Sequence, residues 1–288
     1  MLHSIFLAIT LITCSLFAEG ESPMQKTILI TGSTDGIGLE AAKMLVSKGH
    51  HVLLHGRNPS KLEKTKRTLS AIPGRGKIET YVADLSKRAD IEALAESVKV
   101  NHEKLDVLIN NAGVLDSPDP TTPDGLDMRF AVNTVAPYLL TKRLLPLFGP
   151  SGRIINVSSA SQASVQLEAL AGKKKLSRNT AYGESKLALI MWSNHLAHSL
   201  KESGPVVISV NPGSLLGTKM VKEGFGIQGK DIRIGGTILT RLALEEEFVE
   251  ATGMYYDNDK RRIGSPHPDA LDAEKCKELT NTLDHLVS

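Results

Sequence analysis

The chain has 288 residues, of which 41% are hydrophobic and 4% aromatic, enough for one large α/β domain or two small ones. Its 34 basic and 32 acidic side chains leave a formal net charge of +2, so there is no electrostatic case for nucleic acid as the main partner. Two cysteines, Cys14 and Cys276, exclude a disulfide scaffold. The histidines contain no His-Glu-x-x-His motif, and the helical pair His195 and His198 does not by itself predict a metal site.

Residues 1–23 form a leader. Its apolar run, residues 5–18, is too short for a comfortable bilayer span but suits the central region of a signal peptide, and SLFA before Glu19 resembles a cleavage site. However, no Lys or Arg precedes the run, and Met24 stands where a cytoplasmic protein would begin. Three interpretations remain: a cleaved signal, a short membrane anchor, or an extension that is not translated. The protein is expected to be cytoplasmic in the last case and signal-targeted or membrane-associated in the others.

From residue 26 onward, strand-like apolar runs alternate with helical patterns. The runs are KTILITG, HVLLHG, IETYVADL, LDVLINNAG, RIINVSS, VVISVNPG and ATGMYYDN. They are rich in Val, Ile and Leu without strict alternation, as in strands buried on both faces, and the helices between them imply parallel pairing with right-handed crossovers. The sequence therefore predicts a single α/β domain over residues 24–288 with a doubly wound parallel sheet of about seven strands.

The least regular part of this domain is residues 214–262, where the only clear helical pattern covers about 238–248. In a doubly wound fold this segment follows the carboxyl end of a strand, where ligands bind. We expect it to cover the substrate.

The first strand ends in the glycine-rich sequence TGSTDGIG. Such a turn lets backbone N–H groups and a helix N-terminus approach a diphosphate with no Cβ in the way, although an isolated match also fits a tight turn that needs positive φ at glycine. Three further motifs follow in order, so we interpret the turn as a dinucleotide site. Its candidate cofactor contacts are Gly32, Ser33, Thr34, Gly36, Ile37 and Gly38.

Tyr182 and Lys186 in AYGESKLALI are four residues apart, so on a helix they share one face. A nearby ammonium favours the ionised form of a phenol, and lowering the phenol pKa by three units corresponds to roughly 4 kcal/mol. Tyr182 could then work as a general acid or base at neutral pH. The alternative is a buried tyrosine beside an unrelated surface lysine.

The motifs LINNAG at 108–113, RIINVSSAS at 153–161 and AYGESK at 181–186 complete the pattern. In this order the chain resembles the short-chain dehydrogenase/reductase family, with its TGxxxGxG, NNAG, serine and YxxxK motifs, closely over residues 25–211 and more loosely beyond. The long gap between NVSS and AYGESK and the tail GMYYDND resemble the retinol-dehydrogenase-like branch. The resemblance implies a Rossmann-type fold and an oxidoreductase that interconverts a carbonyl and an alcohol.

The resemblance also implies roles for single residues. Ser159 would hold the substrate carbonyl oxygen, and Ser158 is the alternative for this role. For either serine, a hydrogen bond at the end of the strand is the non-catalytic interpretation. The backbone of Asn133, in FAVNTVAPYLLT, would hold a water in the proton path. Tyr182 would protonate the carbonyl oxygen, while Lys186 would lower the pKa of Tyr182 and hydrogen-bond the nicotinamide ribose.

Further cofactor contacts follow from the same resemblance. Asp84 would contact adenine, Asn111 and Gly113 would lie against the adenosine, and the Pro212-Gly213 turn would meet the nicotinamide carboxamide. The threonine that usually follows this turn comes one residue late, at Thr218.

The end of the second strand-like run indicates which cofactor is bound. A carboxylate there would hydrogen-bond a free ribose 2′-hydroxyl and repel a 2′-phosphate, but the chain has Gly56 followed by Arg57. A planar guanidinium suits a phosphate, so NADP(H) is favoured over NAD(H), the alternative being a solvent-facing arginine. Many NADP-dependent relatives have a basic residue where this chain has Asp35. The next helix carries more cations, which we expect to be a solvated face: Lys61, Lys64, Lys66 and Arg67.

The sequence therefore predicts an NADP-dependent enzyme for a small carbonyl or alcohol substrate, apolar by the branch resemblance. Any membrane association would come through the leader. Relatives pair through the helices that carry Asn133 and Tyr182, so the protein could also form a homo-oligomer. A catalytically silent NADP sensor or scaffold is the alternative, disfavoured by the complete set of catalytic residues. Epimerase or dehydratase chemistry with tightly held NAD is disfavoured by Arg57 and by the lack of a large C-terminal substrate domain.

Overall fold

The computed structural model describes residues 24–200 and 203–288, so the predicted leader lies outside the described residues. Its centre is one eight-stranded sheet in the order β3-β2-β1-β4-β5-β6-β7-β8. The strands are β1 Thr27–Ile30, β2 His51–Gly56, β3 Ile78–Val82, β4 Val107–Asn110, β5 Arg153–Val157, β6 Val206–Asn211, β7 Tyr255–Asp257 and β8 Arg262–Gly264. The first seven are parallel, which confirms the predicted doubly wound α/β fold.

The predicted count of about seven strands is one short. The additional strand, β8, has three residues and pairs antiparallel with β7 at the edge of the sheet. Its residues Arg262 and Ile263 are exposed, so the segment lacks the apolar run by which the buried strands can be recognised. Backbone pairing with β7 alone makes it a strand.

Ten helices are described. They are α1 Gly36–Ser47, α2 Pro59–Ser70, α3 Arg88–Asn101, α4 Met128–Phe130, α5 Ala136–Leu144, α6 Leu167–Leu170, α7 Arg178–Leu200, α8 Lys219–Phe225, α9 Arg233–Leu244 and α10 Ala273–Val287. The expected helix at 238–248 begins earlier, as α9, and ends before a short 3₁₀ turn.

The helices form two layers because successive residues of a strand point to opposite faces of the sheet. In β1, Leu29 belongs to one core together with α3, α5, α7 and α10. Its neighbours Ile28 and Ile30 belong to a second core with α1, α2 and α9. Both faces are therefore covered, which explains why the strands lack polar alternation.

The C-terminal helix α10 covers α7. Leu279 and Leu283 of α10 are fully buried in the core that α7 shares. Polar contacts fix the same packing: Asn194 of α7 donates to the Ala270 carbonyl at 2.8 Å, and the Tyr138 hydroxyl of α5 donates to the Asp284 carboxylate of α10 at 2.7 Å. The helix that carries Tyr182 is thus enclosed by the rest of the chain along most of its length.

The strand order reverses between β1 and β4, since the chain passes outward through β2 and β3 before returning beside β1. In open α/β sheets the crevice beyond the carboxyl ends of the strands at such a switch point is the usual ligand site. Across the described ranges, 24–200 and 203–288, no helix is long and apolar enough to cross a membrane.

Candidate active site

A cavity of about 700 Å³ opens at this switch point. Its walls come from the segments that follow β1 to β6 and from α7 and α8. The predicted site residues on these walls are Gly32, Thr34, Gly36, Ile37, Arg57, Asp84, Asn111, Gly113, Ser159, Tyr182, Lys186, Pro212, Gly213 and Thr218. Three others, Ser33, Gly38 and Asn133, lie behind the wall rather than on it. The structure thus brings together residues that are up to 186 positions apart in the chain.

The glycine-rich turn is held from behind by Asn111. The Asn111 side-chain amide donates to the carbonyls of Thr31 at 2.8 Å and Gly32 at 3.2 Å. Gly32 has a φ of +65°, and a Cβ at Gly38 would lie 2.4 Å from the Asn111 amide nitrogen. These glycines therefore let the turn, the start of α1 and the loop after β4 meet without side chains between them.

His55, at the end of β2, supports the same turn and was missed in the sequence analysis. The Gly32 N–H donates to His55 Nδ1 at 3.1 Å, so the ring proton is on Nε2, which lies 3.1 Å from the Ala83 carbonyl. Both the hydroxyl and the N–H of Ser33 donate to the His55 carbonyl. Burial lowers the pKa of His55 to about 4. The only sequence signal was a polar residue inside a buried apolar strand.

Lys186 is buried beneath the opposite end of the cavity, with 4% of its surface exposed. Its ammonium donates to the Val157 carbonyl at the end of β5 at 2.8 Å and lies 5.8 Å from the centre of the Tyr182 ring. Burial disfavours the charged form and lowers the pKa of Lys186 to about 8. A Cβ at Gly113 would come within 3.3 Å of this ammonium, so the glycine leaves room for the lysine.

Burial raises the pKa of the Tyr182 phenol, and the neighbouring Ser159 side chain offsets this only in part. Removal of the phenol from water penalises its ionised form directly. The lowering of this pKa by Lys186 stays a prediction. The phenol is protonated at neutral pH.

The two serines after β5 differ in their surroundings. Ser158 is buried, and its hydroxyl donates to the Lys186 carbonyl at 2.8 Å, which fastens α7 to the end of the strand. Ser159 is half-buried on the cavity wall, and its carbonyl accepts the Tyr255 hydroxyl at 3.2 Å. Of the two serine side chains, only that of Ser159 acts on the Tyr182 phenol, where it works to lower the pKa against the effect of burial.

Asn133 lies in a wide helical turn, Ala131–Val135, with π-type hydrogen bonding. Its side-chain oxygen accepts the Val114 N–H at 2.8 Å, and its amide donates to the Val114 carbonyl at 2.9 Å and the Ser185 hydroxyl at 3.0 Å. Asn133 therefore ties the loop after β4 to α7. Such π turns are rare and occur often at functional sites.

The segment after β6 carries the late threonine, Thr218. Leu215 adopts a φ of +56°, which is uncommon for a non-glycine residue. The Thr218 side chain caps α8 by accepting the Val221 N–H at 3.3 Å, and its methyl group would be 3.5 Å from a Cβ at Gly36. With this backbone after β6, Thr218 lies on the cavity wall.

Lys61 is exposed, as expected for a solvated face with Lys64, Lys66 and Arg67, but it also lies at the cavity beside Arg57. Its ammonium is 2.6 Å from the Asp35 carboxylate, which also accepts the Gly36 N–H as the N-cap of α1. The sequence does not show this position, because the distance between α2 and the glycine-rich turn is not a property of either segment alone.

The chain matches the short chain dehydrogenase family over residues 26–225 and belongs to the short-chain dehydrogenase/reductase family, as the motifs indicated. Within it, the chain falls in the retinol-dehydrogenase-like branch. Retinol dehydrogenase 13 of Mus musculus is 31% identical over 281 residues, which cover 91% of this chain and 84% of that protein. Retinol dehydrogenase 11 of Mus musculus is 37% identical over 194 residues, or 66% and 61% of the two chains.

Among solved structures, a short chain dehydrogenase from Shigella flexneri complexed with NADP is 26% identical, with a TM-score of 0.66 over 82% of this chain and 98% of that one. The protein is therefore an oxidoreductase that acts on CH–OH groups of small molecules with a nicotinamide cofactor.

The buried His55 predicts a specific dependence of stability on pH. As the pH falls from 6.5 towards 4, the unfolded chain binds a proton at this imidazole while the folded chain does not, so the free energy of unfolding decreases. Between pH 7.5 and 4.5, His55 should account for about 2.5 kcal/mol of this decrease. Urea unfolding should show that the advantage of wild type over His55→Asn shrinks by that amount. In His285→Asn, at an exposed histidine, the free energy of unfolding should depend on pH as it does in wild type. The same dependence on pH in all three proteins would contradict the prediction.

Proposed function

We propose that the protein is an NADP-dependent enzyme that interconverts an apolar aldehyde or ketone and its alcohol, with Tyr182 as the general acid and base. One observation carries the proposal: Tyr182, Ser159 and Lys186 lie together at one end of a cavity whose other end is the glycine-rich turn and Arg57. A proton donor and a dinucleotide cradle in one cavity are what hydride transfer to a carbonyl requires.

The cavity residues fit a nicotinamide dinucleotide. Gly32 and Gly36 have positive φ and present backbone at the start of α1, and Gly113 has no side chain to separate the cavity from Lys186. The glycine-rich turn would hold the diphosphate, and the Pro212-Gly213 turn would hold the nicotinamide end. Once bound, the cofactor would supply or accept hydride at the carbonyl carbon.

The remaining chemistry belongs to the protein. The Tyr182 phenol is protonated at neutral pH because burial raises its pKa, so in the reduction direction it is ready to donate its proton to the carbonyl oxygen. The Ser159 hydroxyl, which lies on the same cavity wall as this phenol, would bind the same oxygen and orient it. Lys186 would hold the cofactor ribose and help restore the proton to the tyrosine, with Asn133 fixing the wall beside it.

Preference for NADP(H) is supported by the space at the end of β2. A Cβ at Gly56 would lie 2.8 Å from the Thr34 methyl group, so the carboxylate that would bind a free 2′-hydroxyl cannot be placed there without moving Thr34. The next residue, Arg57, is exposed on the cavity wall, where a guanidinium can bind a phosphate with two parallel hydrogen bonds.

An apolar substrate is supported by the wall beyond Tyr182. It is formed by Val114, Leu115, Met128, Val132, Leu215, Leu216, Met220, Val221 and Phe225. Phe225 and Leu215 are 56% and 44% exposed although they lie at the cavity, and an apolar substrate would cover them. The charged side chains nearby are paired: Asp116 with Arg178 at 2.6 Å and Lys219 with Glu223 at 3.5 Å. The relatives named above are dehydrogenases of retinol, itself an apolar alcohol.

Replacement of Tyr182 by phenylalanine tests the mechanism. Tyr182→Phe should lower kcat for NADPH-dependent aldehyde reduction by about 100-fold to 10,000-fold, because it removes the proton donor, while the Kd for NADPH stays within about twofold. Tyr256→Phe, at a buried tyrosine of the opposite core, is the control and should retain wild-type kcat. Full turnover by Tyr182→Phe would contradict the mechanism, and tight NADPH binding by a wild type that reduces no aldehyde or ketone would favour the sensor alternative.

Fluorescence titration of the protein with NADPH and NADH in parallel tests the cofactor preference. Wild type should bind NADPH more tightly, and Arg57→Ala should weaken NADPH binding by about 10-fold to 100-fold while leaving NADH nearly unchanged, since only NADPH has the 2′-phosphate. Arg67→Ala, on the exposed face of α2, is the matched control. Equal affinities of wild type for the two cofactors would refute the preference.

A series of aldehydes from butanal to decanal tests the apolar wall. We expect kcat/KM to rise with chain length, and Phe225→Ala to raise KM for decanal by about fivefold to tenfold with little effect on butanal, because only the longer chain reaches the phenyl ring. Val249→Ala, an exposed valine outside the cavity, should behave as wild type. Similar effects of Phe225→Ala on both substrates would argue against this location for the substrate tail.

A further inference from the structure

The start of α1 carries an arrangement of charges that the motifs do not explain. Asp35 caps this helix by accepting the Gly36 N–H at 2.8 Å, and its other carboxylate oxygen is 2.6 Å from the Lys61 ammonium. Asp35, Lys61 and Arg57 all line the cofactor end of the cavity. A carboxylate is therefore built into a wall that we expect to face a phosphate.

We propose that Lys61 binds the cofactor 2′-phosphate together with Arg57, and that Asp35 holds Lys61 at the cavity while the site is empty. The proposal rests on the preference for NADP(H) proposed above and extends it to a residue on a different element, α2. It assigns Lys61 the part that a basic residue at position 35 would otherwise play.

The position of Lys61 is fixed by its own helix. The Asn58 side chain caps α2 by accepting the Lys61 N–H at 2.9 Å, so the lysine backbone is anchored in the first turn, four residues after Arg57. A lysine side chain is flexible and carries a compact charge. Both side chains of the ion pair are about half exposed, Lys61 by 47% and Asp35 by 56%. Ion pairs as exposed as this one add little to stability. The ammonium can therefore exchange Asp35 for a phosphate at small cost.

The charge balance shows why a second cation is needed. Lys61 and the Gly36 N–H hold the pKa of Asp35 below its usual range despite partial burial, so at neutral pH the carboxylate is ionised and would repel a phosphate. Arg57 alone would then face both the carboxylate and a phosphate of nearly two negative charges. Asp84, on the same wall, also interacts with Arg57 and adds a second negative charge. Lys61 is thus needed to balance the two carboxylates before a phosphate binds.

A simpler role for Lys61 is to neutralise Asp35 without touching the cofactor. The two roles differ in what happens when Asp35 loses its charge. If Lys61 only neutralises, it becomes dispensable in Asp35→Asn, whose side-chain oxygen still caps α1. If Lys61 binds the phosphate, its removal weakens binding whether or not position 35 is charged.

Calorimetric titration with 2′,5′-ADP and 5′-AMP distinguishes the two roles, because these probes differ only in the 2′-phosphate and require no turnover. Lys61→Ala should weaken 2′,5′-ADP binding about tenfold and change 5′-AMP binding less than about twofold. Asp35→Asn should strengthen 2′,5′-ADP binding, and Lys61→Ala in that background should again weaken it about tenfold. Lys64→Ala, one turn further along the exposed side of α2, is the matched control and should bind both probes as wild type does.

Four results would overturn the proposal. If the double variant binds 2′,5′-ADP as tightly as Asp35→Asn, Lys61 serves only to neutralise Asp35. If Lys61→Ala weakens both probes equally, its effect is on the fold of the site. If Arg57→Ala removes the discrimination between probes and Lys61→Ala retains it, the preference for NADP(H) stands and only the role of Lys61 fails. A wild type that does not discriminate between the probes would refute both proposals together.

Discussion

Parallel pairing of seven consecutive strands is the constraint on which the rest of this structure depends. It places every strand's carboxyl end at the same edge of the sheet, and the reversal of strand order between β1 and β4 separates the flanking loops there. Hence the cavity has two ends with different chemistry: backbone and cations follow β1 and β2, whereas proton-carrying side chains follow β5 and project from α7. No single segment of the chain contains all the cavity residues, and the sheet brings the segments together.

Burial then determines the protonation states at both ends. Desolvation lowers the pKa values of His55 and Lys186 and raises that of Tyr182, which in each case favours the neutral form. For His55 the neutral ring is required, because its Nδ1 must accept the Gly32 N–H that shapes the glycine-rich turn. For Tyr182 the neutral phenol is the form that can donate a proton. The same physical effect therefore supports the glycine-rich turn and keeps the Tyr182 phenol protonated.

Departures from the family pattern are accommodated by neighbouring structure. The threonine after the Pro212-Gly213 turn comes one residue late, and Thr218 still lies on the cavity wall. Asp35 stands where a cation would be expected, and Lys61 reaches it from α2. In both places the local sequence differs from the pattern, while the groups presented to the cavity remain of the same kind.

The sequence by itself determined the seven apolar strands, their parallel pairing and the motif residues, because apolar runs, glycine-rich turns and helical spacing are local properties of the chain. The spacing of Tyr182 and Lys186 predicted that they share one face of a helix, and the Lys186 ammonium does lie 5.8 Å from the centre of the Tyr182 ring. The exposed strand β8 has no apolar pattern, and His55 and Lys61 act on a turn more than twenty residues earlier in the chain, so only the tertiary structure revealed them. The tertiary structure also decided that the pKa of Tyr182 is raised, because desolvation depends on everything packed around the phenol and not only on the lysine four residues away.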